Sequence, residues 1–233
     1  AYNATLGFRR GVPELLVQSN LQGLALSLPA PLQKNAATPL ALRLQTEVLN
    51  DPSERSGAGA PVTERLSLSL GQLGNVTYDQ DMSGAVPRVL RGAIGVGLEN
   101  QETVTMPAQG VNANVKLPKF NVDAWSEALS QVTGAQLAVG ATTSGTSNQA
   151  QAYLPTTLAV RTDTLTFGGR EFNHVVIGGG RDGTLWRANL DANELNGYLE
   201  YRQGSDGAAS SSAGRVYARL ARLTIAPAAV TEV

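Results

Sequence analysis

Residues 40–48 read Leu-Ala-Leu-Arg-Leu-Gln-Thr-Glu-Val. Leu40, Leu42 and Leu44 alternate with Ala41, Arg43 and Gln45, and the alternation continues through Thr46 to Val48. Side chains on a strand point to opposite faces in turn, so this stretch puts its leucines on one face and its polar groups on the other. Fully extended it would span roughly 30 Å, long for a strand. The same period recurs at Leu24, Leu26 and Leu28, and at Leu66, Leu68 and Leu70 with Ser67 and Ser69 between them. These nine leucines are the candidate apolar face.

The second half continues the pattern less cleanly. Expected strands are Thr157–Phe167, Glu171–Ile177, Thr184–Leu190, Leu195–Tyr201 and Arg215–Ile225. Phe167-Gly168-Gly169-Arg170 reads as a hairpin turn, Gly178–Gly183 as a looser one, and Asp191-Ala192-Asn193 as a tight connection. Connectors this short favour antiparallel neighbours, because parallel strands need a long crossover. Residues 50–61, 140–150 and 203–214 are rich in Gly, Ser and Thr and read as loops. One helix is expected over Asn121–Val132, with Asn121 or Asp123 as its cap. Trp125, Ala128, Leu129 and Val132 fall on one helical face, and Trp125, Leu129 and Val132 are its candidate packing residues. A composition shift near residue 118 suggests a division into 1–118, a first sheet segment, and 119–233, the helix followed by a second sheet segment, with continuity between the two left open.

Composition narrows the function. The net charge is −1 and only 16% of residues are charged, so nothing favours nucleic acid as a partner. No cysteine is present, which removes disulfides, thiolate metal sites and cysteine nucleophiles. No run of 18 apolar residues is present to cross a bilayer as a helix. The chain starts at Ala1 without a signal-peptide pattern. A processed protein or an excised domain is therefore expected, with any membrane anchor outside it.

Catalytic signatures are missing. His174 is the single histidine and sits in an expected strand, which favours a hydrogen-bonded structural role over metal ligation. The glycines of 92–97 and 178–183 read as strand and turn glycines, since a phosphate loop needs a strand-to-helix context. Asp79 with Asp81, and Asp191 with Glu194, are assigned turn and edge roles. No enzyme activity, metal or cofactor is expected, and a glycan hydrolase is the most distant alternative. Periodicity alone favours a closed core whose leucine faces meet. An outer-membrane barrel would need aromatic girdles that two Trp, six Tyr and four Phe do not supply. A third arrangement is an open sheet whose apolar face holds an apolar ligand.

Four stretches carry a resemblance. They are 19–45 (SNLQGLALSLPAPLQKNAATPLALRLQ), 117–129 (LPKFNVDAWSEAL), 186–202 (WRANLDANELNGYLEYR) and 214–225 (GRVYARLARLTI). Leu28-Pro29-x-Pro31-Leu32-x-Lys34 followed by Pro39-Leu40 is the most specific piece. Trp186 with Gly197 and Leu220-x-x-Leu223 is the second. In this order they resemble the YhdP family, AsmA-like proteins related to TamB, toward the C-terminal part. The resemblance implies an elongated, curved antiparallel β-groove with a short amphipathic helix. It further implies a periplasmic segment of an inner-membrane-anchored protein that carries phospholipid between the two membranes and supports the outer-membrane permeability barrier. The alternative expectation is a non-lipid-binding structural or docking module that caps the groove or contacts an envelope partner.

Overall fold

The computed structural model describes residues 2–9, 12–49, 62–99, 102–133, 152–202, 206–207, 210–211 and 214–224. The chain is mainly β and antiparallel, with one helix. It divides into two compact units: residues 1–27, 33–113 and 152–154, and residues 28–32, 114–151 and 155–233.

The first unit is built on β1 (Tyr2–Arg9), β2 (Val12–Ser19), β3 (Leu42–Val48), β4 (Thr63–Leu70), β5 (Gly74–Asp81) and β6 (Arg88–Val96). Each pairs antiparallel with its sequence neighbours. β7 (Gly110–Asn121) begins in this unit and ends in the second. The second unit adds α1 (Val122–Thr133), β8 (Thr157–Phe167), β9 (Arg170–Asp182), β10 (Leu185–Asp191) and β11 (Leu195–Arg202). β12 (Asp206–Gly207) and β13 (Ser210–Ser211) form a small separate ladder, and β14 (Arg215–Leu223) pairs with β11. In the first unit the hydrogen-bonded order runs β1 to β6 in sequence, and in the second it runs β8 to β11 and ends on β14. The meander follows from the turns: Gly168 and Gly169, both at positive φ, close β8 onto β9 with Phe167 opposite Arg170.

Two expectations need correction. Leu24, Leu26 and Leu28 alternate but do not form a strand. Their only ladder contact is an isolated bridge between Leu26 and Lys34. Pro29 and Pro31 lack the N–H that a ladder needs, and Leu21 and Gly23 take φ of 46° and 90°. The segment is instead gathered around Lys34. Lys34 is 7% exposed, and its Nζ donates to the carbonyls of Leu21 (2.8 Å), Leu24 (2.7 Å) and Asn35 (3.0 Å).

Gly178–Gly183 is not one loose turn. Gly178, Gly179 and Gly180 lie inside β9, and only Gly183 and Thr184 separate Asp182 from its partner Leu185. Gly179 is there because a Cβ would come within 2.4 Å of the Arg187 carbonyl. Gly178, Gly180 and Gly183 do stand at the spacing of a dinucleotide fingerprint. A strand follows them, however, so no helix N-terminus is offered to a phosphate.

The helix starts where its cap dictates. Asn121 Oδ1 accepts from the Ala124 N–H at 2.9 Å. Asp123 does a different job: its two carboxylate oxygens accept from the N–H groups of Gly168 and Gly169, each at 2.9 Å. The first turn of α1 thereby fastens the β8–β9 hairpin. The 50–61 and 140–150 loops lie outside the described residues, as does most of 203–214.

Candidate functional site

Strand register decides which side chains share a face. Across β3 and β4, Leu42 is opposite Leu70, Leu44 opposite Leu68 and Thr46 opposite Leu66. Leu66, Leu68 and Leu70 meet Tyr78, Val76 and Gly74 of β5. These in turn meet Gly92, Ile94 and Val96 of β6. In the other direction Leu44 faces Val17 of β2, and Val17, Leu15 and Pro13 face Ala4, Leu6 and Phe8 of β1. The leucine face is therefore one apolar surface that continues from β1 to β6.

This surface is not a dry core. Leu40, Leu42, Leu44, Leu66, Leu68 and Leu70 are all half-buried, as are Val76, Ile94 and Val96. Leu6 and Phe8 are 60% and 70% exposed. Val48, at the end of β3, is buried at 6% exposure, and further coverage comes at β5. There the Tyr78 hydroxyl donates to the Tyr153 carbonyl at 2.9 Å, the two rings meet edge-on at 5.1 Å, and Gln80 Nε2 donates to the Tyr153 hydroxyl at 3.0 Å. Burial, then the neighbouring Tyr153, raises the Tyr78 pKa. Gly92 makes room for that ring, since a Cβ would lie 2.5 Å from it.

The opposite face is polar, and its buried carboxylate is paired on both sides. Asp79 is 1% exposed and sits opposite Arg65 and Arg91 in register. Arg65 binds it through Nε and Nη2 at 2.8 and 3.0 Å, and Arg91 Nε binds it at 2.7 Å. Burial alone would raise the Asp79 pKa, but the hydrogen bonds and charges of the two arginines outweigh it and lower it.

The second unit repeats the division. Ile177 and Gly179 of β9 meet Leu190 and Ala188 of β10, which meet Gly197 and Leu199 of β11, then Leu220 and Ala218 of β14. Arg187, Glu200 and Tyr198 lie on the other face, with Arg187 3.5 Å from Glu200. A cleft of ≈ 650 Å³ opens at one end, between the β8–β9 turn and β14, lined by Phe172, Leu195, Leu199, Leu220 and Leu223 among others. That volume is within the range of ligand-holding clefts. Beside it, Leu165, Val175 and Ala192 form a buried cluster with Phe120, Val122 and Phe172. Phe172 and Val175 join the same cluster although strict alternation would separate them. His174, at φ 52°, sits between them and resets the face. Its ring is exposed and Nδ1 lies 3.1 Å from Asn193 Nδ2.

Of the nine singled-out leucines, register brings Leu42, Leu44, Leu66, Leu68 and Leu70 together. Leu40 lies just before β3, beside Gly71. Leu24, at 49% exposure, and Leu26 belong to the segment gathered around Lys34, whereas Leu28 falls in the second unit. Trp125 is half-buried and its Nε1 donates to the Ala30 carbonyl at 3.0 Å. Leu129 and Val132 fall within α1, but their side chains lie outside the described residues. Asp79, expected in a turn or edge role, is instead buried within β5 between Arg65 of β4 and Arg91 of β6; its two partners were not legible, because pairing across strands cannot be read along one. Tyr2, Ala4, Leu6 and Phe8 do carry a period-two signal and extend the same face. Among the described residues no group of three or more His, Cys, Asp or Glu is placed to hold a metal, and no helix is long and apolar enough to cross a membrane.

A family model described as YhdP protein matches residues 2–231. No curated protein and no solved structure matches the chain. With nearly its whole length matched, the chain belongs to the YhdP family, bacterial envelope proteins of the AsmA-like kind.

Proposed function

We propose that the chain is a periplasmic segment that carries phospholipid along its apolar sheet faces, as part of a protein anchored in the inner membrane. Its work is transfer between the inner and outer membranes in support of the permeability barrier. The observation that carries this reading is the register-aligned row Val17–Leu44–Leu68–Val76–Ile94, whose members are half-buried rather than packed in a core. An acyl chain laid on such a row gains roughly 0.8 kcal/mol per CH₂ removed from water. Headgroups stay at the solvated rim. On the polar face of the first unit the buried Asp79 is already held by Arg65 and Arg91, so lipid is assigned to the apolar side there. The function needs no bond-making chemistry, cofactor or metal.

The test is lipid extraction and native mass spectrometry of the purified chain. Phospholipid should co-purify with the wild type and be lost from Leu44→Asp/Leu68→Asp. A well-folded wild type that never captures lipid defeats the reading and favours a structural or docking module that contacts an envelope partner.

A further inference from the structure

Arg202 of β11 and Arg215 of β14 are direct register partners, so two guanidinium side chains leave the same face of neighbouring strands. Like charges placed opposite one another destabilise a sheet. Both residues are exposed. β14 carries Arg215, Arg219 and Arg222 and no acidic residue, in a chain whose net charge is −1. The concentration of positive charge is therefore local.

Among the described residues, nearby carboxylates are engaged or distant. Glu200 lies 3.5 Å from Arg187 and accepts from the Tyr198 hydroxyl at 2.5 Å. Asp191 is 3.8 Å from Arg222, whose guanidinium also donates to the Ala192 carbonyl. Asp182 of β9 is two strands away from Arg202, about 10 Å across the sheet. β14 is also the last strand of the hydrogen-bonded order, and all nine of its residues are exposed. Its other face offers Val216 at 66% and Leu223 at 50% exposure.

We infer that Arg202, Arg215 and Arg219 form a docking strip for the phosphate groups of an anionic lipid bilayer, with the apolar side of β14 entering the headgroup layer. A phosphate accepts from two guanidinium groups at once, which turns the opposed pair from a liability into a clasp. The inference deepens the lipid-carrying reading by naming the strand at which the protein meets a membrane.

The experiment is co-sedimentation of the whole chain with vesicles of phosphatidylcholine, with or without phosphatidylglycerol. Wild type should bind the phosphatidylglycerol vesicles. Arg202→Gln/Arg215→Gln should bind about 30-fold more weakly, at about 1 kcal/mol for each arginine near an anionic surface. Its thermal midpoint should not fall, because an opposed charge pair has been removed. Arg43→Gln/Lys119→Gln, with the same change in net charge, should bind as wild type. Asp206→Asn, which removes the sole carboxylate of residues 203–214, should also bind as wild type. Equal weakening by the control pair overturns the strip, as does wild-type binding by the arginine variant. A large gain from Asp206→Asn overturns it by showing the pair already has a counter-ion. A wild type that ignores vesicles overturns it as well and leaves the β14 edge to strand addition by a protein. Failed lipid extraction with intact vesicle docking defeats the conduit alone, whereas the reverse result defeats the strip alone.

Discussion

Leu44 of β3 and Leu68 of β4 are direct partners on one face of the sheet, and both remain half-buried. Replacing both by Asp should abolish phospholipid capture while the chain stays folded. The stability loss should be about 2 kcal/mol, because only part of each side chain leaves an apolar surrounding. Val111, at 0% exposure, is the contrasting position. Val111→Asp buries an unpaired carboxylate and should prevent folding. Chemical denaturation of the variants, followed by circular dichroism, separates the two cases.

Asp79 should set the acid limit of the first unit. Its folded pKa is lowered, so the stability it contributes is present above the unfolded carboxylate value of about 3.9 and is lost as pH falls through the folded value. Asp79→Asn should destabilise by about 2 kcal/mol at neutral pH. This is less than for a fully buried pair, because Arg65 and Arg91 keep 34% and 39% side-chain exposure. Urea midpoints measured from pH 7 to pH 2 should show the gap between wild type and variant closing below about pH 4.

Lys34→Met should loosen the 20–36 segment without unfolding the sheet. It keeps the aliphatic stem but leaves the carbonyls of Leu21, Leu24 and Asn35 without their shared donor. A loss of about 1–3 kcal/mol is expected. Hydrogen exchange should quicken at Leu24 and Leu26 and stay unchanged in β4 and β5.

Asp123→Ala should release the β8–β9 turn. The Gly168 and Gly169 N–H groups lose their acceptors, while the Asn121 cap of α1 is retained. Faster exchange at these two glycines with an intact helical signal is the expected result. Asn121→Ala should do the opposite, lowering helix stability by about 1 kcal/mol with the turn still protected.

Legibility in the sequence followed the range of the forces involved. Alternation at Leu40–Val48 and Leu66–Leu70 reported two-faced strands, because side-chain direction is a local property. The paired glycines at 168–169 and the Asn121 cap were legible for the same reason. Leu24–Leu28 carried an equally clean alternation and is not a strand, because the prolines beyond it and the Lys34 amine govern its backbone. The face change at His174 depends on one backbone angle that composition does not encode. The meeting of Arg65, Asp79 and Arg91 depends on register, which is fixed only once β4, β5 and β6 align.

Within the first unit every ladder joins strands adjacent in sequence, from β1–β2 to β5–β6. Such contacts join strands that follow one another along the chain, so each pair can form as soon as its second strand is available. No distant strand has to wait for a partner made later. The same wiring makes the sheet extensible. Adding or removing one hairpin changes its width by about 10 Å and leaves the register of the remaining strands untouched. Strand number thus works as a ruler, a simple way for a lineage to tune the reach of an apolar surface.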